Sequence, residues 1–250
     1  MSFIDLFSDK SDLYAAARPQ YPKDLYEFLA SCTSPRKRAW DCGAGNGQSS
    51  ISLVEYFSEV YATDASEQQI ANAIQKKCVF YSIQPGEKTR FANDYFDIVT
   101  VAQALHWFNL DRFWPEVTRV LRSGGIFAAW GYDWFSISPE IDDVIKESIL
   151  DVIAPYWSPR AHLVWDGYRD VGFPFEPISV PPMTMKVLWN LSELLNYLRT
   201  WSATRQCVQQ QGTEFFEIFS KRLLNVWGQA EERKEIIMNF HIIAGRNQLK

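Results

Sequence analysis

The residues best placed to do chemistry lie in one short segment, residues 40–50 (WDCGAGNGQSS). It contains three glycines at alternate positions, Gly43, Gly45 and Gly47, and an acidic residue, Asp41, two positions before the first of them. Glycines spaced this closely let the backbone turn sharply and approach a ligand. The segment therefore predicts a ligand-binding turn, and its charge restricts which ligand it accepts.

Two phosphate-binding turns fit this spacing poorly. The phosphate loop of nucleotide hydrolases requires G-x-x-x-x-G-K-[ST], but Gly47 is followed by Gln48, and no lysine is in reach of a phosphate. A dinucleotide-binding turn requires G-x-G-x-x-G, and Gln48 stands where the third glycine belongs. The Asp41 carboxylate would also repel a pyrophosphate dianion. We therefore exclude the phosphate loop of nucleotide hydrolases. A dinucleotide site, and with it an NAD-dependent oxidoreductase, remains only as a weaker alternative.

A carboxylate beside the turn instead favours a positively charged ligand without phosphate. S-adenosylmethionine meets this description, because it carries a sulfonium and an ammonium group. Asp64 ends the next predicted strand, where an acidic residue can accept hydrogen bonds from both ribose hydroxyls of a nucleoside. Asp41, the glycines and Asp64 together predict a site for S-adenosylmethionine.

The candidate catalytic residue is His106, one of the three histidines of the chain, which follows a predicted strand at 96–102. Imidazole has an ordinary pKa suited to a general base near neutral pH. If a methyl group of S-adenosylmethionine were transferred to a hydroxyl, His106 would act as the base. A carboxylate acceptor is already ionised and needs no base, which leaves His106 to orient it. A pocket-wall or structural role is the remaining interpretation. His162 and His241 show no partner pattern, and we expect no metal site.

Alternating strands and helices must position these residues. Apolar, β-branched runs predict strands and three- to four-residue spacings predict helices. The predicted strands are 38–42, 60–64, 78–83, 96–102 and 126–130, and the predicted helices are 22–31, 48–57, 66–75 with Ser66 as its N-cap, and 111–121. This alternation indicates a doubly wound α/β unit with a parallel sheet covered on both faces. In such sheets ligands bind at the carboxyl ends of the strands, where the glycine turn and Asp64 lie.

The pattern changes after Gly131 and becomes rich in Pro, Trp and Tyr. The predicted elements there are helices at 139–153, at 191–202 and around 216–227, and strands at 183–189 and 236–243. We interpret residues 1–250 as a single domain, with a cofactor-binding core over 1–133, a lid and substrate region with the sixth strand over 134–212, and a last helix and strand over 213–250. The lid is thus inserted after the fifth strand.

The composition restricts the partners. The formal net charge is −5, so we expect no nucleic-acid partner, which would require a basic face. No run of about 18 apolar residues predicts a membrane span, and residues 1–20 do not resemble a signal peptide. The four cysteines lack CxxC or disulfide-type spacing, so we expect reduced thiols and a cytoplasmic location. The expected partner is a small-molecule acceptor, and no pattern indicates an oligomeric state.

Several segments resemble, in order, the motifs of class I S-adenosylmethionine-dependent methyltransferases: DCGAGNG, ATDAS, FDIVTVAQALHWF and GGIFAAWGY. More narrowly, YAAARPQYP, HWF, AAWGY, APYWSP and YLRTWSA are similar to the methyltransferase type 11 and trans-aconitate methyltransferase-like group. These motifs extend from Tyr14 to Ala203. The resemblance implies a Rossmann-like, seven-stranded, mostly parallel sheet with an antiparallel last strand. It also implies an enzyme that uses S-adenosylmethionine to methylate a small molecule, with a carboxylic acid as acceptor.

The resemblance also assigns residues to the cofactor. Those carried over by motif are Asp41, Gly43, Ala44 and Gly45 for the methionine part, Asp64 for the ribose, Ala65 for the adenine, Gln103 and Ala104 below the ribose and sulfur, and Tyr14 and Arg18 in a segment that folds over the cofactor. The chain departs from the family at Pro85, where many relatives have an acidic residue that accepts from the adenine amine. Gly86 or Glu87 would then supply that contact through the backbone.

On the acceptor side, the interpretation places an aromatic wall facing the sulfonium, where cation–π attraction would act. The residues assigned to substrate binding are Trp107, Trp130, Tyr132, Trp157 and Arg199, the last as part of a clamp for an acidic substrate together with Arg205. Plain core packing is the alternative for the tryptophans. A cofactor-binding sensor or pseudoenzyme that regulates a protein partner is the alternative to an enzyme.

Overall fold

The computed structural model describes residues 18–248. Within them the chain divides into two compact units. The sheet unit comprises Gln20–Asp133, His162–Met183 and the chain from Phe240 onward. The helical unit comprises Trp134–Ala161 and Thr184–Asn239, together with residues 18–19.

The elements follow in chain order. The strands are β1 (Arg38–Cys42), β2 (Glu59–Asp64), β3 (Val79–Ile83), β4 (Phe96–Ala102), β5 (Leu121–Ser136), β6 (Glu176–Pro177), β7 (Met185–Trp189) and β8 (Lys234–Arg246). The α-helices are α1 (Lys23–Cys32), α2 (Ser50–Leu53), α3 (Glu67–Ala71), α4 (Leu110–Val120), α5 (Pro139–Ile145), α6 (Asp151–Ile153), α7 (His162–Trp165), α8 (Leu191–Arg199), α9 (Ser202–Gln211) and α10 (Glu214–Trp227). A π-helical turn spans Lys146–Leu150, and 3₁₀ turns span Leu105–Trp107 and Ala154–Tyr156.

In the sheet unit the strand order is β3-β2-β1-β4-β5-β8-β6. The pairs β1–β2, β1–β4, β2–β3 and β4–β5 are parallel, and β8 runs antiparallel to β6. The order of the strands reverses between β1 and β4, which is where ligands bind in open parallel sheets. Asp41 pairs with Ala62 of β2 on one side and with Thr100 of β4 on the other, so it lies at this reversal.

The sheet separates two cores because side chains alternate between its faces. On β4, Val99 and Val101 belong to the core that contains Phe113 of α4. Ile98, which directly precedes Val99 and so points to the other face, belongs to the core that contains Leu25 of α1. All five side chains are fully buried. The predominantly apolar sequence of β4 therefore reflects a strand covered on both faces.

The helical unit packs α5, α6 and α8–α10 and includes the pairing of β7 with the first half of β8. These two strands are antiparallel, in a register that runs from Met185 opposite Met238 to Trp189 opposite Lys234. Helix α8 begins with a capping box, in which the Asn190 side chain accepts from Glu193 N and the Glu193 side chain accepts from Asn190 N. Within residues 18–248, no helix is long and apolar enough to cross a membrane.

The predicted doubly wound sheet is confirmed, and the described strands number eight because β6 adds a two-residue strand. The helix predicted at 48–57 was too long, since α2 ends at Leu53. Helix α9 was missed because its sequence is mostly polar, with only Ala203, Thr204 and Cys207 buried. The two units divide between residues 133 and 134, and residues 162–183 are grouped with the sheet unit. The predicted division into a core, a lid and a C-terminal region stays a prediction.

Candidate active site

The glycine turn connects β1 to α2 at the carboxyl edge of the sheet. Gly43, Gly45 and Gly47 all have positive φ angles, of 68°, 56° and 87°, which L-residues with a side chain rarely adopt. At Gly43 there is also no room: a Cβ there would lie 2.7 Å from the Cβ of Ala104 and 3.1 Å from the Phe108 ring. The backbone of the turn is therefore packed directly against the residues that follow β4.

Asp41 lies beneath the turn and is completely buried. Its carboxylate accepts hydrogen bonds from Ser50 Oγ at 2.6 Å and Thr100 Oγ1 at 3.2 Å. Burial raises the pKa of Asp41 to about 6, the charge of Asp64 adds to this rise, and the bonds from Ser50 and Thr100 oppose it. Asp41 thus ties the turn to α2 and β4, and its charge would act on a ligand across the turn rather than by direct contact.

Asp64 lies at the end of β2, beside the turn. One carboxylate oxygen accepts from Gly45 N at 2.9 Å, and the other accepts from Ser66 N at 2.8 Å. Ser66 caps α3 as predicted, accepting from Gln69 N. Backbone donors therefore hold the Asp64 carboxylate at the carboxyl edge, where the sequence predicted a ribose contact. Ala65, assigned to the adenine, is exposed beside it.

Gln103 follows the last residue of β4 and connects it to β5. Its backbone N donates to Trp130 O at 2.8 Å, and its side-chain Nε2 donates to Tyr132 O at 2.7 Å. Its φ of 54° lies in the left-handed region, which is unfavourable for a non-glycine residue. Strained residues of this kind concentrate at functional sites. Ala104 follows directly and touches the turn, so Gln103 lies between the turn and β5.

His106 and Trp107 lie in the 3₁₀ turn after Gln103. The His106 side chain is 9% exposed, and its ring centroid lies 4.8 Å from that of Trp107. Gly86 approaches the residue that follows this turn, since a Cβ there would lie 3.1 Å from the Phe108 ring. The Glu87 carboxylate accepts from Asn109 N at 2.8 Å, at the start of α4. The Glu87 side chain thus has a partner of its own, which is compatible with an adenine contact through the backbone.

The structure corrects the acceptor assignment of Trp130. This residue is fully buried in the core and packs edge-on against Tyr21 and Tyr26, at centroid distances of 5.7 and 6.2 Å. The alternation along β5 explains this, because residue 130 faces α1 while Gly131 faces Tyr168 on the opposite side. Tyr132 is buried, with its ring 6.2 Å from that of Tyr21.

The remaining predicted residues lie elsewhere. Tyr14 is outside the described residues. Arg18, Trp157 and Arg199 belong to the helical unit. The guanidinium of Arg18 lies 5.6 Å from the centre of the Tyr197 ring, and Trp157 packs 5.6 Å from Trp201. Arg199 is exposed, donates to Asn196 Oδ1 at 3.1 Å and lies 4.7 Å over the Phe216 ring. The sheet unit contains the predicted cofactor residues from Asp41 to Ala104, together with His106 and Trp107.

Sequence reasoning missed a polar side-chain contact in the sheet unit, in which His241 Nε2 lies 2.9 Å from Asp133 Oδ2. The partners are 108 residues apart, so no local spacing could have indicated the pair. Tyr168 is buried nearby, and the charge of Asp133 contributes to raising its pKa. In the described part of the chain, no group of three or more His, Cys, Asp or Glu side chains is arranged to hold a metal ion.

Known proteins share this architecture. The Methyltransferase domain family (Methyltransf_11) matches residues 40–129. A solved structure from Anaeromyxobacter dehalogenans, described as a type II methyltransferase, is 36% identical, with a TM-score of 0.85, and covers 93% of this chain and 99% of that one. A Dictyostelium discoideum protein described as a methyltransferase is 29% identical over 96% of this chain and 93% of its own length. A Saccharomyces cerevisiae protein described as S-adenosylmethionine-dependent methyltransferase CRG1 is 32% identical over 52% of this chain and 46% of its own.

The residues of the site fit the cofactor of this family. The glycine turn has a buried carboxylate beneath it and no lysine, as suits a cationic ligand without phosphate. The Asp64 carboxylate is held at the adjacent strand end by two backbone donors. With the turn, the fold and the relatives in agreement, the chain belongs to the class I S-adenosylmethionine-dependent methyltransferases and is an enzyme that uses S-adenosylmethionine.

Proposed function

We propose that this enzyme transfers the methyl group of S-adenosylmethionine to an oxygen atom of a small molecule. The observation that carries the proposal is the position of Gln103, which joins the glycine turn to the carboxyl end of β5. Through Ala104 it adjoins Gly43, and through its side chain it holds Tyr132 O at 2.7 Å. An acceptor beside Gln103 would therefore lie next to the cofactor turn. The formal net charge of −5 supports a small molecule over a nucleic acid.

The sulfonium supplies an already activated methyl group, so the chain's main task is positioning. The turn from Gly43 to Gly45 would hold the methionine part, and Asp64 would hold the ribose. Gln103, fixed by two hydrogen bonds, would set the distance between the cofactor and the acceptor. Alignment of the nucleophile with the methyl carbon at near-attack distance accounts for much of the acceleration in such displacements.

The acceptor is a carboxylate or a hydroxyl, and the two make different demands on the chain. The resemblance to trans-aconitate methyltransferases favours a small carboxylic acid, which would form a methyl ester. A carboxylate with an ordinary pKa near 4 is ionised at neutral pH and needs no base. A hydroxyl acceptor needs a group that takes its proton, and the buried His106 would be the candidate from the sequence.

A screen with tritiated-methyl S-adenosylmethionine tests the proposal. Small carboxylic acids and phenols are offered singly, and the labelled product is identified by mass. We expect label in at least one small molecule, with S-adenosylhomocysteine as coproduct. Binding of the cofactor without label transfer to any small molecule would contradict the proposal and favour the sensor alternative. In His106→Gln, a carboxylate acceptor should leave the pH profile of kcat unchanged, whereas a hydroxyl acceptor that depends on His106 should lose its acidic limb.

We also propose a cytoplasmic location. Its support is that all four cysteines, Cys32, Cys42, Cys78 and Cys207, are free thiols in the structure. Free thiols are usual in reducing compartments. Fractionation of cells that carry a tagged chain would test this, and recovery in a secreted or membrane fraction would contradict it.

A further inference from the structure

A second polar centre lies at the carboxyl end of β5, formed by Asp133, Tyr168 and His241. The β4–β5 register pairs Ala102, the last residue of β4, with Trp130. Asp133 therefore lies three residues beyond that pair, past the carboxyl end of β4. This is the edge at which parallel sheets bind their ligands.

The Asp133–His241 pair is arranged like an acid–base dyad. The Asp133 side chain is 1% exposed, and the His241 side chain is 21% exposed. His241 Nε2 lies 2.9 Å from Asp133 Oδ2. In the tautomer in which Nε2 donates to this carboxylate, a neutral imidazole would have its lone pair on Nδ1. Gly167 lies beside Nδ1, and a Cβ there would come within 3.2 Å of it. A side chain at position 167 would therefore crowd Nδ1, and glycine avoids this.

The hydroxyl of Tyr168 adds a buried group with an unmet hydrogen bond. Tyr168 is 1% exposed, and in the described part of the chain its hydroxyl has no hydrogen-bond partner. Its φ of 59° is left-handed, which is rare for an aromatic residue. A Cβ on Gly131 would lie 2.8 Å from this hydroxyl and 2.8 Å from Gln103 Oε1. The centre therefore adjoins Gln103, which touches the cofactor turn through Ala104.

A purely structural role would leave these features unexplained. A tyrosine that serves only to fill the core would be equally well replaced by phenylalanine, without a buried hydroxyl that lacks a partner. Backbone strain and unmet polar groups that occur together are typical of ligand sites. Burial, with a contribution from the Asp133 charge, raises the pKa of Tyr168, which keeps the hydroxyl protonated as a hydrogen-bond donor.

We propose that Asp133, Tyr168 and His241 bind the methyl acceptor, and that this acceptor is a small molecule with a hydroxyl nucleophile. The inference rests on the proposed O-methyl transfer and selects between its two acceptor classes. His241 Nδ1 takes the proton of the acceptor hydroxyl, Asp133 positions the ring, and the Tyr168 hydroxyl hydrogen-bonds the acceptor. A carboxylate acceptor would have no use for the base and would be repelled by the Asp133 charge.

The step balances without another reactant. The hydroxyl O–H bond breaks, and its proton passes to Nδ1. A lone pair of the acceptor oxygen forms the new bond to the methyl carbon as the methyl–sulfur bond breaks. The electron pair of that bond stays on sulfur, which becomes the neutral thioether of S-adenosylhomocysteine. The imidazolium then returns its proton to solvent through its partly exposed edge.

The first test observes His241 directly, without turnover. The chain has three histidines, so ring-¹³C-labelled full-length protein gives few signals, which His106→Gln, His162→Gln and His241→Gln assign. The protein is saturated with S-adenosylhomocysteine and titrated with 4-methylphenol and catechol, then with benzoate and citrate. We expect the phenols to shift the His241 signal and the carboxylates to leave it in place. A His241 signal that neither phenol moves overturns the inference, whether or not a methylated product is found.

The second test uses kinetics on the acceptor that the tritium screen identifies. His241→Gln should lower kcat by about 100-fold or more, as expected for loss of a general base, with the affinity for S-adenosylmethionine unchanged. Added imidazole should restore part of the activity of His241→Ala. Tyr168→Phe keeps the ring and should chiefly raise KM. The matched control is His162→Gln, a substitution at an exposed position of α7.

Two kinetic results would overturn the inference: wild-type kcat in His241→Gln, or methylation restricted to carboxylic acids. Failure of the proposed function has a different signature, namely a wild-type protein that binds the cofactor and transfers label to no compound. In that case a His241 signal that still responds to phenols would identify a binding site without transfer.

Discussion

Replacement of Asp41 by Asn measures how much the buried charge beneath the glycine turn lowers the free energy of unfolding. The Asp41 side chain is 0% exposed and is bonded by Ser50 and Thr100. Asn has nearly the same shape and cannot ionise. Asp41→Asn therefore removes the titration while it keeps an acceptor oxygen for one of the two hydroxyls.

The magnitude follows from the pKa of Asp41, which burial raises from 3.8 to about 6. At 1.36 kcal/mol per pKa unit, the charged form costs the folded state about 3 kcal/mol relative to the unfolded chain. Because the folded pKa is the higher one, the folded state binds the proton more tightly. Stability should therefore be greatest below pH 3.8 and fall as the pH rises toward and through 6. About 1.4 kcal/mol of that loss falls between pH 5 and pH 8.

The assay is urea unfolding of the wild type and Asp41→Asn at pH 5 and pH 8, followed by the fluorescence of the ten tryptophans. From pH 5 to pH 8, the free energy of unfolding of the variant should rise by about 1.4 kcal/mol relative to that of the wild type. Titrations that both proteins share cancel in this difference. The reasoning is refuted if the difference between the two free energies of unfolding is the same at both pH values. It is also refuted if the variant is less stable relative to the wild type at pH 8 than at pH 5.

Two glycine substitutions test how closely the site is packed. Gly43→Ala should weaken S-adenosylmethionine binding about tenfold or more, because its Cβ would lie 2.7 Å from the Cβ of Ala104. The control is Gly124→Ala, which is also at positive φ but has open space around it. This control should lower the melting temperature and leave the calorimetric affinity for S-adenosylmethionine unchanged. Equal affinities in the two variants would contradict this. Gly131→Ala should cost about 1–3 kcal/mol in urea unfolding and lower kcat, since its Cβ would lie 2.8 Å from both Gln103 Oε1 and the Tyr168 hydroxyl. Wild-type values for both would show that these groups move aside freely.

The geometry of the glycine turn and of the strand end at Asp64 could be predicted because its signals are local in sequence. The glycines at alternate positions reflect positive φ angles, and Ser66 stands directly before the helix that it caps. Asp64 ends a strand whose pattern is unambiguous. The sequence could not indicate that the Ser50 and Thr100 hydroxyls both donate to the Asp41 carboxylate. Thr100 belongs to β4, which pairs with β1 only in the folded sheet.

The proposed acceptor site depends on contacts between distant segments. Asp133 and His241 are 108 residues apart and meet only because the sheet order brings β8 next to β5. Trp130 was placed in the pocket because tryptophan suits a cationic ligand, yet the alternation of β5 turns it into the core beside Tyr21. A short aromatic motif shows which residue types are present. It does not show to which face of the sheet each side chain points, because that depends on strand register.

The central claim is that the glycine turn and Asp64 bind S-adenosylmethionine, and calorimetric titration tests it most directly. Wild type, Asp64→Asn and the exposed control Asp111→Asn are titrated with S-adenosylmethionine and with NAD. We predict binding of S-adenosylmethionine by the wild type and the control, an affinity about tenfold or more weaker in Asp64→Asn because a charged acceptor is lost, and no binding of NAD. Equal affinity of wild type and Asp64→Asn for S-adenosylmethionine, or binding of NAD alone, would contradict it.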